Sequence, residues 1–175
     1  MFWQKKYLSL DVGGYSIKAI EMNESHQVVN LSYKILPKEI FNKGIIRDEE
    51  SLIKILKGLL ADFGWNARNR VASISLSGDG VIVKRVEVDI GTEDEIIEYI
   101  ESDSEQLFRH NIEDLYYHWY LLPRKEEDKK RSVIIAATKK EIVDQYIRIM
   151  DKLPLSLTMI DCGYISLLNK YRHSY

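Results

Sequence analysis

Leu8-Ser9-Leu10-Asp11-Val12-Gly13-Gly14-Tyr15-Ser16-Ile17-Lys18 decides how the first half of the chain is read. Apolar and polar residues alternate through Tyr7–Val12 and again through Ser16–Met22, which predicts two strands joined by a glycine-containing turn, with the Asp11 carboxylate near the end of the first. Two readings of that turn stand side by side. In one, Gly13 and Gly14 close an ordinary hairpin and Lys18 is a surface residue on the outward face of the second strand. In the other, the glycines let backbone N–H groups approach a phosphate, Asp11 orders Mg2+ or its water ligands, and Lys18 adds positive charge.

Working outward, Gln27–Leu36 predicts a third strand after the turn at residues 23–26. Asp48-Glu49-Glu50-Ser51 then opens a helix whose Leu52, Ile53, Ile55, Leu56, Leu59 and Leu60 share one face, ending near Phe63. Val71–Leu76 is a short apolar strand closed by the turn Ser77–Gly80, which completes a β-β-β-α-β unit. A second pattern, β-α-β-β-α, follows over residues 80–154. It comprises Val81–Val88, a helix from Thr92 to Phe108, strands Leu115–Leu122 and Ser132–Thr138, and a helix Lys140–Leu153 stopped by Pro154. The tail returns to a strand, Ser156–Ile160, and a short amphipathic helix, Tyr164–Tyr171.

Composition narrows the classes of function. At 175 residues with 45% hydrophobic content the chain can bury a core, and a formal charge of -2 lacks the basic excess of a nucleic-acid-binding domain. The charged run Arg124–Arg131 mixes both signs and reads as a solvated turn. The single cysteine, Cys162, excludes an internal disulfide and fits a reducing, cytoplasmic setting. The opening MFWQKKYLSLDVGG has no apolar core of a signal peptide, and no run is long enough for a membrane-spanning helix. His26, His110, His118 and His173 have no metal-ligand spacing, and neither Ser75, Ser77 nor Cys162 sits in a hydrolase motif. Tyr116-Tyr117-His118-Trp119-Tyr120 alternates along a strand, one face toward the core and one toward solvent; its aromatic outward face suits a protein partner or an extended peptide.

The stretch LSLDVGGYSIKAIEM resembles the first phosphate loop of the actin-like superfamily, and specifically that of the PilM and FtsA branch. Lys43–Leu60, Arg70–Val88, Glu93–Leu107 and Ser132–Met150 resemble later segments of the same family in the same order, and Leu157–Asn169 resembles the stretch by which the family's chain returns. The resemblance implies an α/β fold. Its first subdomain, actin/ribonuclease H-like, would take residues 1–79 and 155–175, and an inserted FtsA/PilM-type β-α-β-β-α subdomain residues 80–154. It further implies ATP and Mg2+ as cofactors, held by Asp11, Gly13, Gly14, Tyr15, Ser16 and Lys18, with Asp11 the metal-binding residue. Two departures qualify this. Gly14-Tyr15 replaces small hydroxyl residues usual in the turn, and the family's second phosphate loop and adenosine-contacting segment have no counterpart here, which leaves a one-walled site and predicts no ATPase activity by this chain alone. Asp161-Cys162-Gly163 looks like an Asp-X-Gly loop but lies where the family's chain returns, so it is not read as one.

By resemblance the partner is the N-terminal peptide of a PilN-like inner-membrane protein of a type IV pilus or type II secretion system. The chain is then a cytoplasmic adaptor that reaches the membrane only through that partner. The other expectation is a nucleotide-dependent actin-like ATPase of the FtsA kind of which this chain is the first half. An apolar patch on the terminal helix adds the expectation of a homo-oligomer.

Overall fold

Alternation around Asp11 folds as two paired strands. In the computed structural model, which describes residues 6–42, 44–64, 71–89, 92–123 and 130–172, β1 (Tyr7–Val12) and β2 (Ser16–Met22) pair antiparallel, with Val12 opposite Ile17 and Asp11 opposite Lys18. Strand β3 (Val28–Ile35) continues the meander. A two-stranded ribbon, β4 (Phe41–Asn42) and β5 (Ile45–Ile46), precedes helix α1 (Glu49–Asp62), and β6 (Val71–Leu76) follows it. The second pattern supplies β7 (Ile82–Val88), α2 (Glu93–Ser102), α3 (Ser104–Phe108), β8 (Leu115–Leu121) and β9 (Arg131–Lys139). The chain continues through α4 (Lys140–Met150), β10 (Ser156–Cys162) and α5 (Gly163–Arg172).

The residues fall into two compact units, Met1–Gly80 with Ile142–Tyr175, and Val81–Glu141. In the first, one sheet has the order β10-β6-β1-β2-β3, with β1, β6 and β10 parallel. Its two faces differ sharply. Leu8, Leu10, Val12, Ile17, Ala19, Ala72 and Ile74 are buried on one, as are Leu52, Leu56, Leu59 and Leu60 of α1. Lys34 of β3 donates to Asp62 of α1 at 2.8 Å, which ties the helix to that face. Each leucine-sized side chain removed from water there contributes about 1.5–3 kcal/mol. The opposite face carries Ser9, Asp11, Lys18, Tyr33 and Ser73, a polar and half-exposed set.

α1 begins where the sequence signals it: the Asp48 side chain accepts from Ser51 N at 2.9 Å, and hydrogen bonding from the Ser51 hydroxyl first and its backbone N–H second holds the Asp48 carboxyl below its ordinary range. The expected single helix from Thr92 to Phe108 is instead two, broken at Asp103. The apolar stripe Ile96–Ile100 lapses at Ser102, whose Oγ donates to Tyr99 O at 3.2 Å, and at Asp103, and apolar burial resumes only at Leu107 and Phe108. α2 is fixed by a capping box between Thr92 and Glu95. In the second unit Val88, Ile96, Ile100, Phe108, Val133 and Ile135 form a core of their own beneath the sheet β7-β9-β8.

One boundary differs from the sequence reading. The sequence pattern places helix Lys140–Leu153 in the inserted stretch 80–154, whereas from Ile142 onward α4 groups with the first unit. The cause is specific bonding: Tyr146 Oη donates to Val12 O at 3.3 Å, and Gln145 Nε2 donates to Ile46 O at 3.1 Å. The run Arg124–Arg131, apart from its last two residues, and His173 lie outside the described residues.

Candidate functional site

Asp11 is the penultimate residue of β1, and the register places Lys18 directly across from it on β2. Lys18 Nζ donates to Asp11 Oδ2 at 2.9 Å, and Ser77 Oγ donates to Asp11 Oδ1 at 3.3 Å. The hydrogen bond and the charge of Asp11 together raise the Lys18 pKa above its ordinary value. Gly13 N donates to Ser16 O at 2.9 Å and closes the turn, leaving Gly14 and Tyr15 exposed at its tip. Neither Gly13 nor Gly14 adopts positive φ, and a Cβ built on Gly14 meets nothing within 4 Å. The fold itself therefore makes no demand for glycine at position 14.

Beside the turn lies a cavity of about 390 Å³, walled by Gly14 and Tyr15, by Lys38 and Phe41, and by Ser77 and Tyr146. Tyr146 sits at its base, buried, with its hydroxyl on Val12 O; burial first and the Asp11 charge second push its pKa up, so the hydroxyl stays a donor. The far wall depends on a close approach of two loops. Gly44 has φ of +79°, and a Cβ there would lie 2.5 Å from Gly80 N. Gly44, and the approach of Ser77 and Tyr146 to the end of β1, escaped the sequence reading. A lone glycine after Lys43 and a tyrosine 134 residues from its acceptor give no periodic signal.

Sequence reasoning grouped Asp11, Gly13, Gly14, Tyr15, Ser16 and Lys18, and the hairpin does bring them together. Their chemistry is turned inward, however. The Lys18 charge is spent on Asp11, the Asp11 carboxylate on Lys18 and Ser77, and Gly13 N–H on the turn. A magnesium ion at Asp11 would have to displace Lys18, and among the described residues no three His, Cys, Asp or Glu side chains gather in a metal-ligating group. As it stands this donor set does not fit a metal–phosphate ligand.

Asp161, in register with Ser75 of β6, accepts from Cys162 N at 2.7 Å and from Ser166 Oγ; it caps its own chain rather than facing a ligand. In the second unit Tyr117 and Trp119 pack against the core, while Tyr116 is exposed on edge strand β8 with Lys140 Nζ 5.6 Å above its ring.

The sequence matches the family model for the type IV pilus assembly protein PilM over residues 9–170. The chain belongs to the PilM family. Among solved structures, PilM of a PilM–PilN type IV pilus biogenesis complex superposes with a TM-score of 0.71 at 18% identity, covering 89% of this chain and 47% of that one. The cytoplasmic domain of EpsL, an inner-membrane component of the type II secretion system of Vibrio cholerae, follows with a TM-score of 0.55 at 11% identity, covering 90% and 57%. This PilM-family chain thus spans about half the length of the solved relatives it matches, and its fold is the mixed α/β fold they share. No curated protein matches it by sequence. Among the described residues no helix is long and apolar enough to cross a membrane.

Proposed function

We propose that this chain is a cytoplasmic platform component of a type IV pilus or type II secretion system, and that it holds the N-terminal tail of a PilN-like inner-membrane protein. Support comes first from the family match across residues 9–170, reinforced by the likeness to a PilM taken from a complex with PilN. Physical chemistry points the same way. Asp11 and Lys18 neutralise one another, which leaves the phosphate-loop hairpin without a free positive charge, whereas edge strand β8 presents Tyr116 and His118 outward in a form suited to an extended peptide. Membrane association comes through the partner alone.

The test is fluorescence anisotropy of a labelled peptide copying the N-terminal cytoplasmic tail of a PilN-like protein, with a scrambled peptide as control. Saturable binding of the native sequence alone is expected; equal or absent binding of both overturns the proposal. One observation favours a second reading, an actin-like ATPase of the FtsA kind that uses ATP and Mg2+. Asp11 lies next to the end of β1 beside the exposed tip Gly14-Tyr15, where a Mg2+ ion that displaced Lys18 would meet the carboxylate and the phosphates of its nucleotide would face open backbone.

A further inference from the structure

Strand β3 is the outer strand of its sheet, and no described residue pairs with its far side. Leu36 N donates to Tyr15 O directly opposite, so positions 30, 32 and 34 turn their N–H and C=O groups inward to β2, and Leu31, Tyr33 and Ile35 turn theirs outward. Those same three side chains are 71%, 60% and 75% exposed on the sheet's open face. Natural edges are commonly blunted by an exposed lysine or a proline. Here β3 has no proline, its one lysine, Lys34, points to the covered face and is bound to Asp62, and its β-bulge lies at Val28–Asn30, which leaves Leu31–Ile35 regular.

We propose that β3 is a self-pairing edge, which joins two copies of this chain through an antiparallel β3–β3 contact centred on Ser32. What selects a second copy is the symmetry of the strand. From Val29 to Ile35 the sequence VNLSYKI alternates apolar and polar residues symmetrically about Ser32. A two-fold axis there sets each Leu31 opposite the other copy's Tyr33 on the open face, so apolar meets apolar twice, while Val29, at the β-bulge next to Asn30, stands outside the regular pairing. On the covered face it sets Lys34 opposite Asn30 and keeps the two Lys34 charges apart. Backbone parity agrees as well: Leu31 and Tyr33 meet with both sets of hydrogen-bonding groups turned outward, while Ser32 meets Ser32 as a close, non-hydrogen-bonded pair. The sheets of the two copies become one continuous sheet with its covered faces on the same side.

The close Ser32 pair supplies the test, because Cα atoms about 4.5 Å apart in such a pair suit a disulfide. In a Cys162→Ser background, Ser32→Cys is expected to form a covalent dimer under mild oxidation, while Ser25→Cys, exposed in the β2–β3 turn, stays monomeric. Sedimentation velocity of the full chain is expected to show a concentration-dependent dimer, and Leu31→Lys to weaken it at least about tenfold without changing the melting temperature of the monomer at dilution, since Leu31 is exposed. The proposal is overturned by a monomer at every concentration, by cross-linking at Ser25 equal to that at Ser32, or by a dimer indifferent to Leu31→Lys. The last result would move the contact to the exposed Tyr164 and Leu167 of α5.

Discussion

Two lysine–carboxylate pairs lie in the same sheet at almost the same separation, Lys6–Glu21 at 3.1 Å and Lys18–Asp11 at 2.9 Å, yet they do different things. Glu21 is fully buried on the face that carries Leu8 and Leu10, and it also accepts from Asn30. Asp11 keeps 35% of its side chain exposed and Lys18 60%, on the open face beside the hairpin turn. The first pair is committed to the fold, since a buried carboxylate stripped of its cation is costly. Water can replace either member of the second, so it is worth little to stability and its members remain exchangeable. The face a pair occupies, rather than its length, decides whether it is tied to the fold or exchanges its partner with solvent.

Lys6→Met should sharpen the contrast most, with a loss of about 3–5 kcal/mol in denaturant unfolding, because Glu21 loses the cation beside it. Close behind comes Gly44→Ala. A Cβ there lies 2.5 Å from Gly80 N, and the backbone is held at φ +79°, so strain and overpacking together predict roughly 2–4 kcal/mol, against no measurable change for Gly14→Ala. Equal effects of the two glycine substitutions would contradict the account of the cavity wall. Removal of the capping hydroxyl by Thr92→Ala should cost about 1 kcal/mol in the Val81–Glu141 unit.

The smallest effect belongs to Lys18→Met, less than about 1 kcal/mol near neutral pH for a pair this exposed. Its pH dependence carries a definite sign. The folded Lys18 pKa is raised above 10.5, so the pair's contribution is complete below the ordinary lysine range and is lost as pH climbs through the folded value. Stability profiles of parent and Lys18→Met should therefore converge at high pH; a gap that widens there would contradict the assignment.

Much of the fold was legible because periodicity and punctuation agreed. Tyr7–Val12 and Ser16–Met22 alternate, Asp48 caps the helix it announces, and Pro154 follows the end of α4. The break at Asp103 was harder to see, since two polar residues interrupt an otherwise helical stripe without glycine or proline to mark the place. The ribbon Phe41–Ile46 has strands too short for any period to register. At the candidate site the Asp11–Lys18 pairing was within reach: a turn closed from Gly13 to Ser16 sets Val12 opposite Ile17 and hence Asp11 opposite Lys18. Tyr146 and Ser77 were not, because their approach to β1 depends on how distant segments pack.

The central claim, a holder of a partner's tail rather than a catalyst, is tested most directly by calorimetric titration of the chain with Mg-ATP and, separately, with the PilN-like N-terminal peptide. Saturable heat with the peptide and none with Mg-ATP is the predicted result. Tight Mg-ATP binding that Asp11→Ala abolishes, with no response to the peptide, would contradict it and make the hairpin a working phosphate loop.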